Sequence, residues 1–493
     1  MRALLVYPAY PETFWSFRAA LEFISRKAAY PPLGLVTVAA MLPEEWDLRL
    51  VDLNIQALTE NDLAWADLVM VSAMEVQQES VRQVLERCGE SGKRTVVGGP
   101  LFTASPDAYD DVDHLVLNEA EITLPPFLRD LERGCARHRY ESDGFAEMSD
   151  SPVPRWDLVA MKQYGSMSLQ YSRGCPYDCE FCDITALLGH RPRIKETGRV
   201  LDELDTLRDQ GWKGSVFFVD DNFIGNRRRL KEDLLPALAR WNRSQRRPFS
   251  FNTEASVNLA DDPELMDLMV KAGFNSVFVG IETPSEDGLA ECGKEQNRGR
   301  DLLASVRRMH HHGLQVQGGF ILGFDSDPPN IFDRMARFIQ ESGIVTAMVG
   351  LLSAPKMSRL YKRLAGEDRI RTEWSGNNTD FSTNIVTRLP LETLRDGYRS
   401  VLKKIYSHRG YYQRVRTFLR EYRPEGPGTW KVSWRDIKAF LRSIWVLGVR
   451  EKGRRHYWGL LAWTATHRPS LVPLAVTLAI YGHHFRVVFR QAL

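Results

Sequence analysis

Two successive stretches in which short apolar runs alternate with amphipathic segments predict an α/β protein. A basic, tryptophan-bearing end predicts a third, mainly helical part. A proline-rich connection between the two alternating stretches places a boundary between them.

The first stretch is expected to fold as a doubly wound domain over residues 1–145. Arg2–Tyr7 is a short apolar run, 33–41 is helical, and Asp47–Asp52 and Leu68–Ser72 are strands. A helix over 76–88, a strand Arg94–Gly98, a strand over 112–117 and a helix over 123–132 complete it. Alternation of this kind gives a parallel sheet covered on both faces, with ligands at the carboxyl ends of the strands. Those ends carry Tyr7, Asp52 with Asn54, Ser72, Gly98-Gly99-Pro100 with Thr103, and Glu119. Gly98 and Gly99 are expected to let a bulky ligand approach the backbone. Pro152 and Pro154 stiffen a linker over 146–164. The second alternation spans 165–350, a closing segment 351–402, and the helical region 403–493.

The 493 residues suggest two to four domains, and 43% hydrophobic with 26% charged residues is ordinary globular composition. Net charge is only +2, but its distribution is uneven. Residues 403–493 hold eighteen Lys/Arg against four Asp/Glu, together with Trp430, Trp434, Trp445, Trp458 and Trp463. Such a stretch suits the headgroup level of an anionic membrane. The plainer expectation is a solvated helical bundle with its tryptophans in the core. No nucleic-acid module is recognisable, so no nucleic acid is expected. The run 471–481, interrupted by Pro469 and Pro473, reads as too short to span a bilayer, and no other run is long enough. The start reads as a strand rather than a signal peptide. Six cysteines, three of them clustered, argue for a reducing compartment. A cytoplasmic protein, peripheral on the inner membrane face if the tail docks, is the expectation.

Those three cysteines carry most information. Cys175, Cys179 and Cys182 stand at C-x3-C-x2-C spacing on one loop. Such a loop can give three thiolates to a cubane iron–sulfur cluster and leaves the fourth iron open for chemistry. A zinc site would want a fourth Cys or His at knuckle spacing, and none is visible. The triplet His310-His311-His312 at a helix end answers the helix dipole rather than a metal.

The loop resembles that of the radical S-adenosylmethionine (SAM) enzymes, in which a 4Fe–4S cluster chelates SAM and cleaves it to a 5′-deoxyadenosyl radical. The resemblance puts Phe181 beside the adenine. It extends to later strand ends, and implies SAM-binding roles for Asp220, Asp221, Asn222, Glu254, Ser256, Asn258, Glu282 and Gly323. It also implies a partial (βα)6 barrel for 165–350, with its site at the strand carboxyl ends. The first domain and its Gly98-Gly99-Pro100-x-x-Thr103 loop resemble the cobalamin-binding domain that precedes many of these barrels. The usual Asp-x-His-x-x-Gly motif is absent, so the resemblance implies cobalt without a protein histidine ligand. The cobalamin candidates are Tyr7, Asp52, Asn54, Ser72, Gly98, Gly99, Thr103 and Glu119.

Together these features resemble the cobalamin-dependent radical SAM family. The segments Lys27-Ala-Ala-Tyr30-Pro-Pro-Leu-Gly34 and Leu117-Asn118-Glu119-Ala120-Glu121, and the tail, resemble the branch that includes hopanoid C-2 methylases. The resemblance implies methylation of an unactivated carbon, with an external one-electron reductant and a small-molecule substrate such as a polycyclic lipid. Rearrangement or cyclisation without methyl transfer, and a non-enzymatic corrinoid or redox sensor, are the competing readings. The residues themselves do not read out the substrate.

Overall fold

The computed structural model describes residues 1–424 and 434–490; Trp430 therefore lies outside the described residues. The N-terminal sheet is wholly parallel. It comprises β1 (Arg2–Tyr7), β2 (Asp47–Asp52), β3 (Leu68–Ser72), β4 (Arg94–Gly98), β5 (His114–Val116) and β6 (Arg139–Tyr140), in the order β2-β1-β3-β4-β5-β6. The order reverses between β1 and β3, the switch point at which doubly wound sheets open a crevice. Ala3, Leu4, Leu5 and Val6 are all fully buried, as a central parallel strand requires. The two-residue edge strand β6 has no apolar run to announce it.

The second sheet begins with β7 (Ser166–Leu169). A small antiparallel pair, β8 (Ser172–Arg173) and β9 (Arg193–Ile194), then brackets the cysteine loop. The sheet continues through β10 (Ser215–Phe218), β11 (Ser250–Glu254), β12 (Phe274–Glu282), β13 (Gln315–Leu322) and β14 (Ala347–Leu351). Its order, β14-β13-β12-β11-β10-β7, is parallel and sequential, so it is a partial barrel of six strands. Phe218, Phe223, Phe251 and Phe274 pack on its outer side at centroid distances of 5.0–5.5 Å. Phe217, Asn252, Phe278 and Met348 alternate with these buried positions and look inward.

Helices complete the chain. Tyr398 and Tyr406, on the helix Leu391–Tyr406, donate hydroxyl hydrogen bonds to the β14 carbonyls of Val349 (2.7 Å) and Ala347 (2.6 Å), covering an otherwise open edge. Arg414 is fully buried, donates to Gln340 and to the carbonyls of Ile405 and Val345, and lies over the Tyr406 and Tyr411 rings, while its Nε has no hydrogen-bond partner.

The proline-rich linker packs Trp156 and Tyr164 into the main core. The structure corrects two expectations. Pro473 does not interrupt the last helix. It sits in the first turn of Val472–Val488, where a missing N–H costs nothing. Residues Pro469–Val488 thus make one helix long and apolar enough, by length and composition, to cross a membrane. Its most apolar window is 56% buried, and Phe485 stacks on Phe14 at 4.3 Å, so here it is a core helix. Three of the tail tryptophans, Trp434, Trp445 and Trp458, are exposed rather than in the core, whereas Trp463 is partly buried and packs against it.

Candidate active site

The cysteine loop leaves the barrel between β8 and β9. Gly174 permits the exit: its φ is +93°, and a Cβ there would stand 2.8–3.0 Å from the carbonyl oxygens of Arg191, Gly189 and Leu188. Asp220, at the end of β10, is fully buried and accepts hydrogen bonds from the Tyr171 N–H (3.1 Å) and from the backbone N–H and hydroxyl of Ser172. Burial pushes its carboxyl up to about 7, against those bonds. Both oxygens are thus spent on the entry to the loop, so Asp220 holds the loop rather than facing a ligand.

The neighbouring polar strand ends converge. The side-chain oxygen of Asn222 accepts from the backbone N–H of Ser256 at 3.2 Å and lies 3.3 Å from the Ser256 hydroxyl oxygen. Ser256 donates to Asn258 at 2.8 Å, and Asn258 donates to the Tyr177 hydroxyl at 2.7 Å. Tyr177 lies between the first two cysteines, so the chain of bonds ties β10 and the 256–258 turn to the cluster loop. Beside it, one Asp221 carboxylate oxygen is buried with no partner, and burial raises that carboxyl to about 6. Burial, with the charges of Asp221 and Asp220, raises Glu254 to about 8.

Glu282 ends β12 in the left-handed region, at φ +63°, where the register with β13 slips. It turns back to pair with Lys294 at 2.8 Å. A Cβ at Gly280 would stand 2.2 Å from the Glu282 carboxylate, so that glycine is what lets the pair form. Burial works against the Lys294 charge, but Glu282, Cys179 and Cys182 hold its ammonium well above the ordinary lysine value. It stands 5.8 Å from the centre of the Phe181 ring. Gln296 reaches Cys179 Sγ at 3.8 Å. Lys294, Gln296 and Tyr177 were not singled out from the sequence; lone polar residues in a loop give no periodic signal. Gly323 has φ +109° and donates its N–H to Asp327 at 2.8 Å.

These residues fit a cluster with bound SAM. Burial pushes up the Cys175 and Cys182 thiols, a cost that binding as thiolates to iron removes. Cys292 turns its thiol to its own helix, at 3.6 Å from the Leu289 carbonyl. Among the described residues no three metal-binding side chains gather as a single-ion site. A cubane spreads its thiolates over separate irons. The unpartnered Asp221 oxygen and the Glu254 carboxylate suit the cationic amino group and sulfonium of SAM.

The first-domain candidates divide. Tyr7 shares a hydroxyl–hydroxyl hydrogen bond with Tyr10, whose hydroxyl points to the half-exposed Met74. Asp52 is buried, accepting from Asn54 (2.7 Å) and from Tyr164 of the linker (2.7 Å); Asn54 in turn accepts from the Tyr10 N–H at 2.8 Å. Thr103 accepts from the Asn118 N–H at 2.9 Å. Glu119 pairs with Arg193 at 2.6 Å and accepts the Ala146 N–H. Asp52, Asn54 and Glu119 are therefore committed within the protein. The glycines also have an internal reason. A Cβ on Gly98 would stand 2.6 Å from the Val116 carbonyl, and one on Gly99, at φ +93°, 2.7 Å from Ser72 Oγ. Gly99→Val would therefore damage the sheet itself, not only a ligand site. What the crevice offers is Tyr10, Met74 and backbone, with no histidine at the carboxyl end of any strand of this sheet, His114 standing at the opposite end of β5; this apolar face fits a corrinoid held without a protein imidazole. Glu75, at the end of β3, lies close enough to Asp183 to feel its charge, and burial raises Glu75 to about 7. The two cofactor regions meet through Arg173 and Arg193, which flank the cysteine loop and pair with Glu121 at 2.8 Å and Glu119 at 2.6 Å. A cavity of about 930 Å³ opens beside Glu75, between Tyr109, Lys356 and Trp374.

Three family models match the chain in sequence: the B12 binding domain over residues 23–128, the radical SAM superfamily over 169–354, and a domain of unknown function, DUF4070, over 358–493. An uncharacterized methyltransferase, sll1242, of Synechocystis sp. is 42% identical over 100% of this chain and 93% of its own length. The hopanoid C-2 methylase of Rhodopseudomonas palustris is 33% identical over 100% of this chain and 94% of its own. Among solved structures, the cobalamin-dependent radical enzyme OxsB, with aqua-cobalamin and SAM bound, superposes with a TM-score of 0.61 at 13% identity, covering 100% of this chain and 79% of that one. The radical SAM methyltransferase TsrM from Kitasatospora setae, with cobalamin and a 4Fe–4S cluster bound, gives 0.57 at 16% identity, covering 76% of each chain. At these identities the two structures speak to the fold alone.

Proposed function

Because this chain belongs to the B12-binding radical SAM family and is a cobalamin-dependent radical SAM methyltransferase, we propose that its substrate is a polycyclic lipid of the hopanoid kind, methylated at an unactivated ring carbon. The observation that carries this reading is the inner face of the barrel. Phe217, Phe278 and Met348 line it, and the N-terminal segment adds two more aromatic rings. Trp15 packs edge-on to Phe278 at 5.4 Å and points its indole N–H at Met348 Sδ, 3.0 Å away. Tyr30 packs on Phe217 at 5.1 Å. Such a wall suits a large apolar body, with Asn252 as a polar group on the same face. The 33% identity to a hopanoid C-2 methylase supports the same substrate class.

Bound together, the cluster, SAM and cobalamin supply a carbon-centred oxidant and a transferable methyl group, with electrons from an external one-electron donor. The chain's own residues position and exclude. Cys175, Cys179 and Cys182 would hold the cluster, with Lys294 as the buried cation beside them. Asp221 and Glu254 would face the cationic end of SAM, and the Asn222–Ser256–Asn258–Tyr177 chain keeps the loop at its height. Tyr10 and Met74 would bear on the corrinoid. The aromatic wall keeps water from the reacting carbon, and no proton-transfer residue is needed there.

The test is anaerobic incubation of the reconstituted enzyme with SAM, cobalamin, a reductant and purified hopanoids, followed by mass spectrometry. A product one methyl group heavier is expected. SAM cleavage and methylation of a polar substrate from a cell extract, with hopanoids untouched, would overturn the substrate class.

A further inference from the structure

We propose that the outward face of the helix Trp434–Ser443 and its continuation Ile444–Arg450 is a docking surface for an anionic lipid bilayer. Seven of the eleven exposed large apolar side chains among the described residues fall between 434 and 458. Scattered exposed hydrophobes need no explanation, but a contiguous set does. Trp434, Ile437, Leu441 and Trp445 recur at three- and four-residue spacing and so share one helical face, extended by Val449. Trp434 is 79% exposed, and Leu441 and Trp445 are each 59% exposed. The opposite face is already used: Ala439, Ser443 and Leu447 are buried. Ser443 bonds Tyr457 at 2.8 Å, and Arg442 donates to the carbonyl of Glu22. The helix is thus fixed with its largest apolar side chains turned to solvent.

The flanks choose the partner. Lys438, Arg450, Arg454 and Arg455 are exposed around the stripe. Tryptophan and leucine on one face with cations beside them is the composition of a helix lying at the headgroup level, where rings bury and cations meet anionic lipid. A second copy of this chain using the same face would bring like charges together, in a region with eighteen Lys/Arg and four Asp/Glu. The proposal rests on this exposed face and not on the substrate reading. It assigns a role within the matched segment 358–493.

The experiment is flotation of the full-length protein with phosphatidylcholine vesicles made with and without phosphatidylglycerol, and with no hopanoid present. Wild type is expected to float with the anionic vesicles and to be released by high salt. The pair Leu441→Ser with Trp445→Ser, and separately Arg454→Glu with Arg455→Glu, should each lower partitioning by about ten-fold or more. Leu391→Ser, at an exposed leucine elsewhere, should not. Thermal melts should be unchanged in all, because these side chains face solvent. Wild type that ignores anionic vesicles, or an L441S/W445S protein that floats like wild type, would overturn the proposal. So would a concentration-dependent dimer abolished by L441S/W445S in the absence of vesicle binding, which would give the face to a second copy.

Discussion

Arg173, two residues before the first cysteine, grips Glu121 of the N-terminal domain through two parallel hydrogen bonds of 3.0 and 2.8 Å. Its cross-strand neighbour Arg193 grips Glu119 in the same way, at 2.8 and 2.6 Å. All four side chains are nearly buried. The short β8–β9 pair that frames the cluster loop is therefore clamped to the cobalamin-binding domain, which fixes the distance between the two cofactor regions.

Breaking that clamp should be costly. Arg173→Ala leaves the buried Glu121 carboxylate without its cation, while Glu119 keeps Arg193, and is expected to destabilise the protein by about 3–5 kcal/mol. Iron content should fall with it, while Glu121→Gln, which keeps an acceptor, should do less harm. Differential scanning calorimetry and iron assay of anaerobically purified protein decide this. A calorimetric trace unchanged by Arg173→Ala would mean that the clamp is not structural.

The three loop cysteines should be individually indispensable to the cluster. Cys175→Ala, Cys179→Ala or Cys182→Ala is expected to abolish cluster absorption and SAM cleavage. Cys88→Ala and Cys292→Ala should keep both. Loss of the cluster in Cys292→Ala would assign a fourth thiolate.

Tyr177→Phe removes the hydroxyl that accepts from Asn258. One hydrogen bond of this kind is worth about 1 kcal/mol, or roughly five-fold in affinity. SAM binding by equilibrium dialysis should weaken by about that factor with iron content unchanged. An unaltered affinity would show that the loop keeps its height without the bond.

Lys294 and Glu282 should behave as a unit. Lys294→Met leaves a buried carboxylate in a left-handed backbone and should cost about 3–5 kcal/mol. Adding Glu282→Gln should recover part of that loss, a coupling read by a double-mutant cycle in thermal unfolding. Strict additivity would mean that the two charges do not sense each other.

Acid should loosen the helical end first. Burial opposes ionisation of Glu451, but the His408 imidazole 3.7 Å away, a hydrogen bond with His483 at 2.7 Å and the charge of Arg486 hold its carboxyl far below the ordinary glutamate value. For a carboxyl depressed in the folded state, stability is complete above its unfolded pKa of about 4.3 and drains away as pH falls toward the folded value. The loss should therefore set in below about pH 4–5 and be absent in Glu451→Gln, measured as unfolding midpoint against pH.

Local patterns in the chain determined the strands, the parallel sheets, the cysteine loop and the polar strand ends. Each depends on spacing within a few residues: two for a strand face, three and two for the thiolates. β1 to β4 lie where their apolar runs place them, and Asn222, Ser256 and Asn258 meet as their strand ends imply. Folding decided which polar groups were left over for ligands. Asp220, Asp52 and Glu119 are spent on Ser172, Tyr164 and Arg193, partners 48, 112 and 74 residues away. No periodicity encodes such a pairing, because the desolvation that makes it obligatory arises only when distant elements pack. The tail follows the same logic. Its composition announced cations and tryptophans, but only the packing of Ala439, Ser443 and Leu447 against the rest of the protein turned Trp434, Leu441 and Trp445 outward.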